Sequence, residues 1–176
     1  MTRFFTADTH FGDHRVLNLH RRPFTSAAEM DQSLIERWNR VVRPDDEVWH
    51  LGDFARSLCV AEEVLCSLNG RKHLLRGNND PAGVELLGGW VGVYDYRELV
   101  AEEGTLLVLC HYPFRSWNGQ HRRSINLHGH SHGRLKALPR QIDVGVDAQD
   151  FSPVTLEQAF GQRAQRSGKL QRIQRA

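Results

Sequence analysis

The sequence is poor in cysteine and has no long apolar run, and each shortage narrows the class of protein. Cys59, Cys66 and Cys110 are an odd number of cysteines without a CxxC pair, which argues against a disulfide framework and a thiolate zinc site. No apolar stretch approaches the roughly 20 residues that a membrane span needs. The N-terminus also lacks the long apolar region of a secretory signal. We therefore expect a soluble cytoplasmic protein without a membrane partner.

Positive and negative charges are nearly balanced in the sequence, so the net charge is small. The chain carries 23 Lys and Arg against 21 Asp and Glu, a net charge of +2, which is too small to indicate a surface for long nucleic acids. The tail of about residues 163–176 is basic and is best interpreted as a solvated helix end, with contact to an anionic partner as the alternative. A length of 176 residues suits a single domain over 1–176. The oligomeric state is not predicted.

Apolar patterning in the first half predicts alternating strands and helices. Residues 3–7 and 47–51 are short β-prone runs that each lead into an aspartate. Between them, a capping box at Ser26 and Glu29 opens an amphipathic helix that Pro44 ends. A second helix over 58–68 and a strand over 72–76 continue the alternation. This order is typical of an α/β fold with a largely parallel sheet, in which ligands gather at the carboxyl ends of the strands.

The second half is rich in predicted strands. Residues 91–94 and 96–100 flank a tight turn, and a closing helix is expected over 154–164. Further strands are predicted over residues 105–110, 124–127 and 141–146. We therefore predict an α/β fold with two packed, mixed β-sheets and flanking helices, in which this half supplies the second sheet.

Seven metal-capable residues stand at the ends of five separate apolar runs. They are Asp8 and His10, Asp53, Asn78, His111, and His130 and His132. In an extended segment, residues two apart project to the same side, so Asp8 with His10 and His130 with His132 can each grip one ion. A carboxylate such as Asp53 at the end of a buried strand requires an ionic or metal partner. Each block alone has an ordinary explanation as a turn, a cap or a solvated pair, but together they favour a metal site.

The blocks D-x-H, G-D, G-N-x-D/E, lone H and G-H-x-H, in this order, resemble those of the calcineurin-like metallophosphoesterase superfamily. The resemblance extends from Asp8 to His132. The flanking segments 8–12 and 111–113 most resemble those of its small single-domain bacterial and phage members. Membership implies a four-layer αββα sandwich and a centre of two divalent ions, with manganese the first expectation and iron, zinc or nickel as alternatives.

The resemblance also implies a division of the ligands between the two ions. Asp8, His10 and His132 would hold one ion, Asn78, His111 and His130 would hold the other, and Asp53 would bridge them. A hydroxide activated by this dinuclear centre would hydrolyse small phosphodiesters or phosphomonoesters, so no protein nucleophile is needed.

Asn79 departs from the family pattern, because many relatives have a histidine there that binds phosphate or protonates the leaving group. Asparagine cannot act as an acid but can donate a hydrogen bond to a phosphate oxygen. The candidate catalytic residues are thus Asn79, Asp53 and His14, where His14 is either a substitute acid or a surface histidine. Arg76 and Arg115 are candidates for phosphate binding or simply surface charges.

Two further aspartates and one rival function complete the expectations. Asp80 is expected to orient its neighbours rather than to bind metal, and Asp147 either buttresses the site or caps a turn. The rival function is a catalytically silent member of the superfamily that acts as a protein-binding platform. Asn79 supports this rival, whereas the complete set of seven ligands opposes it.

Overall fold

The computed structural model describes residues 1–136 and 138–161. In these ranges the strands are β1 (Arg3–Thr6), β2 (Glu47–His50), β3 (Arg71–Leu75), β4 (Trp90–Tyr94), β5 (Arg97–Val100), β6 (Leu106–Leu109), β7 (Ile125–His128) and β8 (Gln141–Asp143). The α-helices of assigned bounds are α1 (Arg15–Leu19), α2 (Ala27–Val41) and α3 (Leu58–Ser67), and the 3-10 turns are Val84–Leu86 and Gln120–Arg122. Within the described ranges, no helix has the length and apolar character to cross a membrane.

The strands form two four-stranded sheets, ordered β1-β2-β3-β4 and β5-β6-β7-β8. All neighbours in the first sheet are parallel. In the second sheet β5 and β6 are antiparallel, and the remaining neighbours are parallel. The predicted α/β fold with two sheets and flanking helices is confirmed, although only the second sheet is mixed.

The placement of β4 corrects one prediction. Residues 91–94 were expected to join residues 96–100 in the second sheet, but Trp90–Tyr94 pairs with β3 in the first sheet and Arg97–Val100 pairs with β6 in the second. The chain therefore crosses between the sheets at Asp95 and Tyr96. Two strands with a short connection have the same local pattern whether they form a hairpin or separate, so the prediction was wrong at this point.

The closing helix predicted over 154–164 is confirmed only in part of that range. Val154 forms an antiparallel bridge with Phe5 of β1, and residues 156–161 are helical. The rest of the predicted helix 154–164 and the basic tail 163–176 lie outside the described residues.

The first sheet is covered on both of its faces. Because successive side chains of a strand point to opposite faces, Phe4, Val48 and Leu74 pack in one apolar cluster with α2 and α3. Their neighbours Phe5 and Trp49, with others, pack in a second cluster against the second sheet. Strands buried on both faces are nearly continuously apolar, as at Phe4 and Phe5 of β1 and Val48 and Trp49 of β2. Strand β3 differs, because it carries the buried Lys72 and His73.

Helix α2 begins at the predicted capping box and is amphipathic, as the spacing of its apolar residues predicted. The Ser26 hydroxyl accepts a hydrogen bond from the Glu29 amide at 3.1 Å, which satisfies one of the free amides of the first turn. Met30, Leu34 and Trp38 form the buried stripe. The spacing of these three side chains places them on one face of the helix, against the first sheet.

Truncation of this stripe should destabilise the protein. Leu34→Ala should lower the free energy of unfolding by about 2–5 kcal/mol, because it removes a buried side chain and leaves a cavity. Glu36→Ala, on the exposed face of the same helix, should change it by less than about 0.5 kcal/mol. Urea denaturation of both variants measures these values, and equal losses in the two would contradict the packing of α2.

Candidate metal centre

The seven candidate ligands lie where strands of both sheets end. Those that follow strands of the first sheet are Asp8 and His10 after β1, Asp53 after β2 and Asn78 after β3; those that follow strands of the second sheet are His111 after β6 and His130 and His132 after β7. Strands β1, β2 and β3 are parallel, as are β6 and β7. The carboxyl ends of parallel strands share one edge, which is where α/β sheets place their ligands.

Two groups of these side chains have the geometry of an ion site. Ligand atoms of Asp8, His10 and His132 all lie within 4.8 Å of one another. The same limit holds for the group Asp8, Asp53 and His111. Asp8, Asp53 and His111 are buried to 2 % exposure or less. These groups could hold metal ions, and Asp8 belongs to both.

The remaining candidate ligands lie beside the second group. Asn78 Oδ1 is 3.1 Å from His111 Nε2 and 3.0 Å from His130 Nδ1. Asp53 lies between His10 and His111: its Oδ2 atom is 3.5 Å from His10 Nε2 and 3.6 Å from His111 Nε2. All seven side chains are thus brought together by short distances, although they come from five separate parts of the sequence.

Two atoms of the first group lack any hydrogen-bond partner among the described residues. They are Asp8 Oδ2 and His10 Nε2, and both are buried. An unpaired buried polar atom costs free energy. A bound cation would satisfy a carboxylate oxygen and an imidazole nitrogen together, so the residues present fit a metal ion.

Burial and neighbouring charge act on the protonation of the same residues. Burial raises the pKa of Asp8 well above its ordinary value, and the nearby carboxylates of Asp143, Asp53 and Asp147 raise it further. Burial lowers the pKa of His10 to about 4. Burial would also raise the pKa of Asp53, but the charge of His111 and hydrogen bonds from Asn79 bring it below its ordinary value. A cation stabilises ionised carboxylates and neutral imidazoles, which are the forms that bind metal.

The backbone of the candidate ligands is strained. Five of them have positive φ: Asp8 at 58°, His10 at 53°, Asp53 at 57°, His130 at 65° and His132 at 48°. Residues other than glycine pay on the order of 1–2 kcal/mol each in this left-handed region. Such strain persists only where the surrounding structure imposes it, and it concentrates at functional sites.

Gly52 permits the close approach of two motifs. It has a φ of +91°, and a Cβ there would lie 2.6 Å from both the Gly77 nitrogen and the Nδ1 atom of His111. The Asp8 amide donates to the Gly52 carbonyl at 2.9 Å. Only glycine therefore fits between β1, β3 and the histidine that follows β6.

Backbone amides hold the carboxylates in place. The His130 amide donates to Asp8 Oδ1 at 3.0 Å. Asn79 donates to Asp53 twice, from its backbone to Oδ1 at 2.8 Å and from its side chain to Oδ2 at 2.7 Å. Asp80 accepts from the amides of Asp53, Phe54 and Gly77 at 3.0, 2.7 and 2.7 Å. Asp80 thus orients the loops that carry Asp53 and Asn79.

Hydrogen bonds fix the orientation of two imidazoles. His111 Nδ1 lies 2.8 Å from the Leu51 carbonyl, and His132 Nδ1 lies 2.7 Å from Asp147 Oδ2. A carbonyl or carboxylate oxygen can only accept, so each Nδ1 carries the hydrogen. Nε2 is thus the nitrogen left for a metal ion in His132, which is the arrangement that an outer partner gives to a metal-binding histidine. His111 Nε2 faces Asn78 Oδ1 at 3.1 Å.

Of the candidate phosphate-binding and acid residues, Asn79 belongs to the cluster, whereas Arg76 and His14 have partners outside it. Asn79 contacts Asp53 directly. Arg76 forms a two-pronged pair with Asp95, with both distances at 2.9 Å, and Arg115 is exposed. His14 is exposed, and its Nδ1 lies 3.2 Å from Arg56 Nη1.

Residues outside the motifs also contact the cluster. The His20 ring stacks on that of His132, with centroids 3.5 Å apart and planes 8° apart. The side chain of Arg22 is fully buried and pairs with Asp147 at 2.8 Å. The sequence interpretation included neither His20 nor Arg22. No local pattern distinguishes Arg22 from its exposed neighbour Arg21.

The fold and this site define an α/β protein of two packed sheets with a candidate metal centre at their shared edge. No protein-family model matches the sequence. The chain is 31% identical over 164 residues to the uncharacterized protein MJ1445 of Methanocaldococcus jannaschii, covering 88% of this chain and 86% of that one. The Gene 66 protein of Mycobacterium phage D29 is 31% identical over 184 residues, covering 86% and 91%. The chain belongs to the family of these proteins.

Two solved structures are similar to this fold. AQ665 from Aquifex aeolicus, a protein of unknown function, has a TM-score of 0.71 and 23% identity, and covers 88% of this chain and 95% of its own. This likeness shows the same fold. Yfce, a phosphoesterase from E. coli, has a TM-score of 0.44 and 16% identity, with coverage of 82% and 78%, which is too low to support an inference.

A methyl group at Gly52 should disrupt the candidate centre. Gly52→Ala should lose several kcal/mol of stability through steric clash and should bind less Mn²⁺. Gly104→Ala is the matched control, because Gly104 has a similar φ of +83° but no atom within 4 Å of an added Cβ. Its loss should be about 1 kcal/mol and its metal content unchanged. Calorimetric unfolding and elemental analysis measure both quantities, and equal effects in the two variants would contradict the clash.

Asp31 should make stability depend on pH. Both its carboxylate oxygens accept from the Gly12 amide, at 3.1 and 2.9 Å, and burial raises its pKa from 3.8 to about 6. The folded protein therefore binds this proton more tightly than the unfolded chain does. The resulting destabilisation is full above about pH 6 and disappears as the pH falls toward 4.

Asp31→Asn should consequently be more stable than the unmodified protein at about pH 8, because it removes a half-buried charge and keeps an acceptor for Gly12. The difference should shrink as the pH falls toward about 4. Urea denaturation of both proteins across this range measures the difference, and a constant offset would rule out Asp31 as its source.

Proposed function

We propose that the protein is a metal-dependent phosphoesterase that hydrolyses small phosphodiesters or phosphomonoesters with two divalent ions, Mn²⁺ being the first expectation. The observation that carries this proposal is the convergence of seven oxygen and imidazole ligands from five segments around Asp53. When bound there, two ions would lower the pKa of water and neutralise the charge that develops on phosphoryl oxygens.

The chemistry of the ligands supports hard or borderline ions. The set combines two carboxylates, an amide oxygen and four imidazoles. Carboxylate and amide oxygens suit manganese, whereas imidazoles also suit iron, nickel and zinc. Cys59 and Cys66 are exposed on α3 and Cys110 is buried; none of them belongs to the ligand set.

Asp53 is the proposed bridging residue. Its Oδ2 atom lies at nearly equal distances from His10 Nε2 and His111 Nε2, 3.5 and 3.6 Å. The first of these histidines belongs to one proposed ion and the second to the other. A carboxylate has two oxygens and can therefore serve both ions.

Asn79 is the proposed substrate-binding residue closest to the ions. Its side-chain amide lies 2.7 Å from Asp53 Oδ2, so it can donate a hydrogen bond to a phosphoryl oxygen placed between the ions. Because an amide cannot protonate a leaving group, we expect esters with acidic leaving groups to react best. The net charge of +2 favours small esters over long nucleic acids.

Loss of the bridging carboxylate should abolish activity. Asp53→Asn should reduce Mn²⁺-dependent hydrolysis of bis(p-nitrophenyl) phosphate by more than the roughly 10- to 100-fold that the loss of an outer partner costs. Asp45→Asn, the same substitution at an exposed position, should leave the rate unchanged. Release of nitrophenol by protein loaded with Mn²⁺ measures both rates.

The binding-platform alternative gives a different result in the same experiment. Unmodified protein that binds Mn²⁺ stoichiometrically but hydrolyses neither phosphodiesters nor phosphomonoesters would support that alternative. Protein that binds no metal would contradict both the proposed enzyme and its dinuclear centre.

A further inference from the structure

The buried guanidinium of Arg22 lies outside every motif. Arg22 is in the segment between α1 and α2, and its side chain has no exposed surface. A charge of this kind is costly to bury unless its donors are all paired. The donors of Arg22 are directed at four groups: the carboxylate of Asp147, the backbone carbonyls of Asp8 and Thr9, and the sulfur of Met30.

Arg22 and Asp147 form a two-pronged pair. Nε donates to Oδ1 at 3.0 Å and Nη2 donates to Oδ2 at 2.8 Å. The same Oδ2 atom accepts from His132 Nδ1 at 2.7 Å. Because the fork is planar and rigid, it fixes the carboxylate, and the carboxylate in turn fixes the rotation of the His132 ring.

The same guanidinium holds the backbone of the first motif. Nη2 donates to the Asp8 carbonyl at 2.6 Å and Nη1 donates to the Thr9 carbonyl at 2.8 Å. Asp8 and His10 flank this stretch of backbone. One rigid group thus sets the position of Asp8 and His10 relative to His132, which follows them by more than a hundred residues.

We infer that Arg22 and Asp147 are positioning residues for the ion held by Asp8, His10 and His132. They act through His132 and the backbone at residues 8–9. This inference rests on the proposed function, because it assumes that the cluster binds metal.

Asp147→Asn should weaken one metal site and spare the other. Loss of a carboxylate behind a metal-binding histidine typically costs 10- to 100-fold in metal affinity. We therefore expect one of two Co²⁺ dissociation constants to rise by about 10- to 100-fold, with a shifted visible absorption band. Asp95→Asn is the matched control, because Asp95 forms a fork of the same kind with Arg76 at the surface, with both distances at 2.9 Å.

A double-mutant cycle distinguishes positioning from a general effect on the fold. If Asp147 acts through His132, then Asp147→Asn should cost little further affinity in a His132→Ala background. In a His130→Ala background, which removes a ligand of the other ion, the full 10- to 100-fold loss should remain. Additive losses in both backgrounds would overturn the inference.

A buried guanidinium without its partner could prevent folding, so a second variant removes both charges. Arg22→Met with Asp147→Asn should retain native circular dichroism in EDTA, because replacing a buried ion pair as a whole is often tolerated. It should still lose tight Co²⁺ binding at one site. Unaltered Co²⁺ binding in this variant would overturn the inference about Arg22 and Asp147 but not the proposed function. Unmodified protein that binds no Co²⁺ would instead overturn the proposed function, and the inference with it.

Discussion

The structure depends on the compensation of carboxylates that are gathered between two sheets. Asp8 has no exposed surface, and Asp53, Asp143 and Asp147 all raise its pKa further. Like charges at such distances repel strongly where water is excluded. Backbone amides and a buried guanidinium compensate part of this charge, but Asp8 Oδ2 and His10 Nε2 have no hydrogen-bond partner among the residues that the structure describes. A bound cation would supply the missing compensation, so the proposed metal binding and the local backbone answer to the same constraint.

That constraint explains the unusual backbone at the strand ends. Residues that leave a buried strand in the left-handed region turn sharply, and the polar side chain then remains at the edge of the sheet instead of following the chain outward. Asp8, Asp53 and His130 all do this. Gly52, which follows β2, then allows Gly77 and the His111 side chain to approach closely. A site built from many short segments therefore requires strained backbone at its ligands and a glycine where the segments approach most closely.

The sequence was sufficient to predict the strand ends and the orienting role of Asp80, and it left support of the site as one interpretation of Asp147, but it did not indicate Arg22. Asp53 was predictable because a carboxylate after a buried apolar run has few explanations, and parallel strands bring their ends together by geometry. Arg22 was not predictable, because its partner Asp147 is 125 residues away and no local period marks it. The transfer of Trp90–Tyr94 to the first sheet was missed for the same reason, since strand pairing depends on long-range packing.

Each group of candidate ligands combines residues from both sheets. Asp8 and His10 follow a strand of the first sheet, whereas His132 follows a strand of the second. An ion in this group is consequently a cross-link across the sandwich, and its coordination distances depend on how far the sheets slide against each other. Repacking of the apolar layer between the sheets, for example at Leu51 or Leu109, should therefore alter metal affinity without touching a ligand.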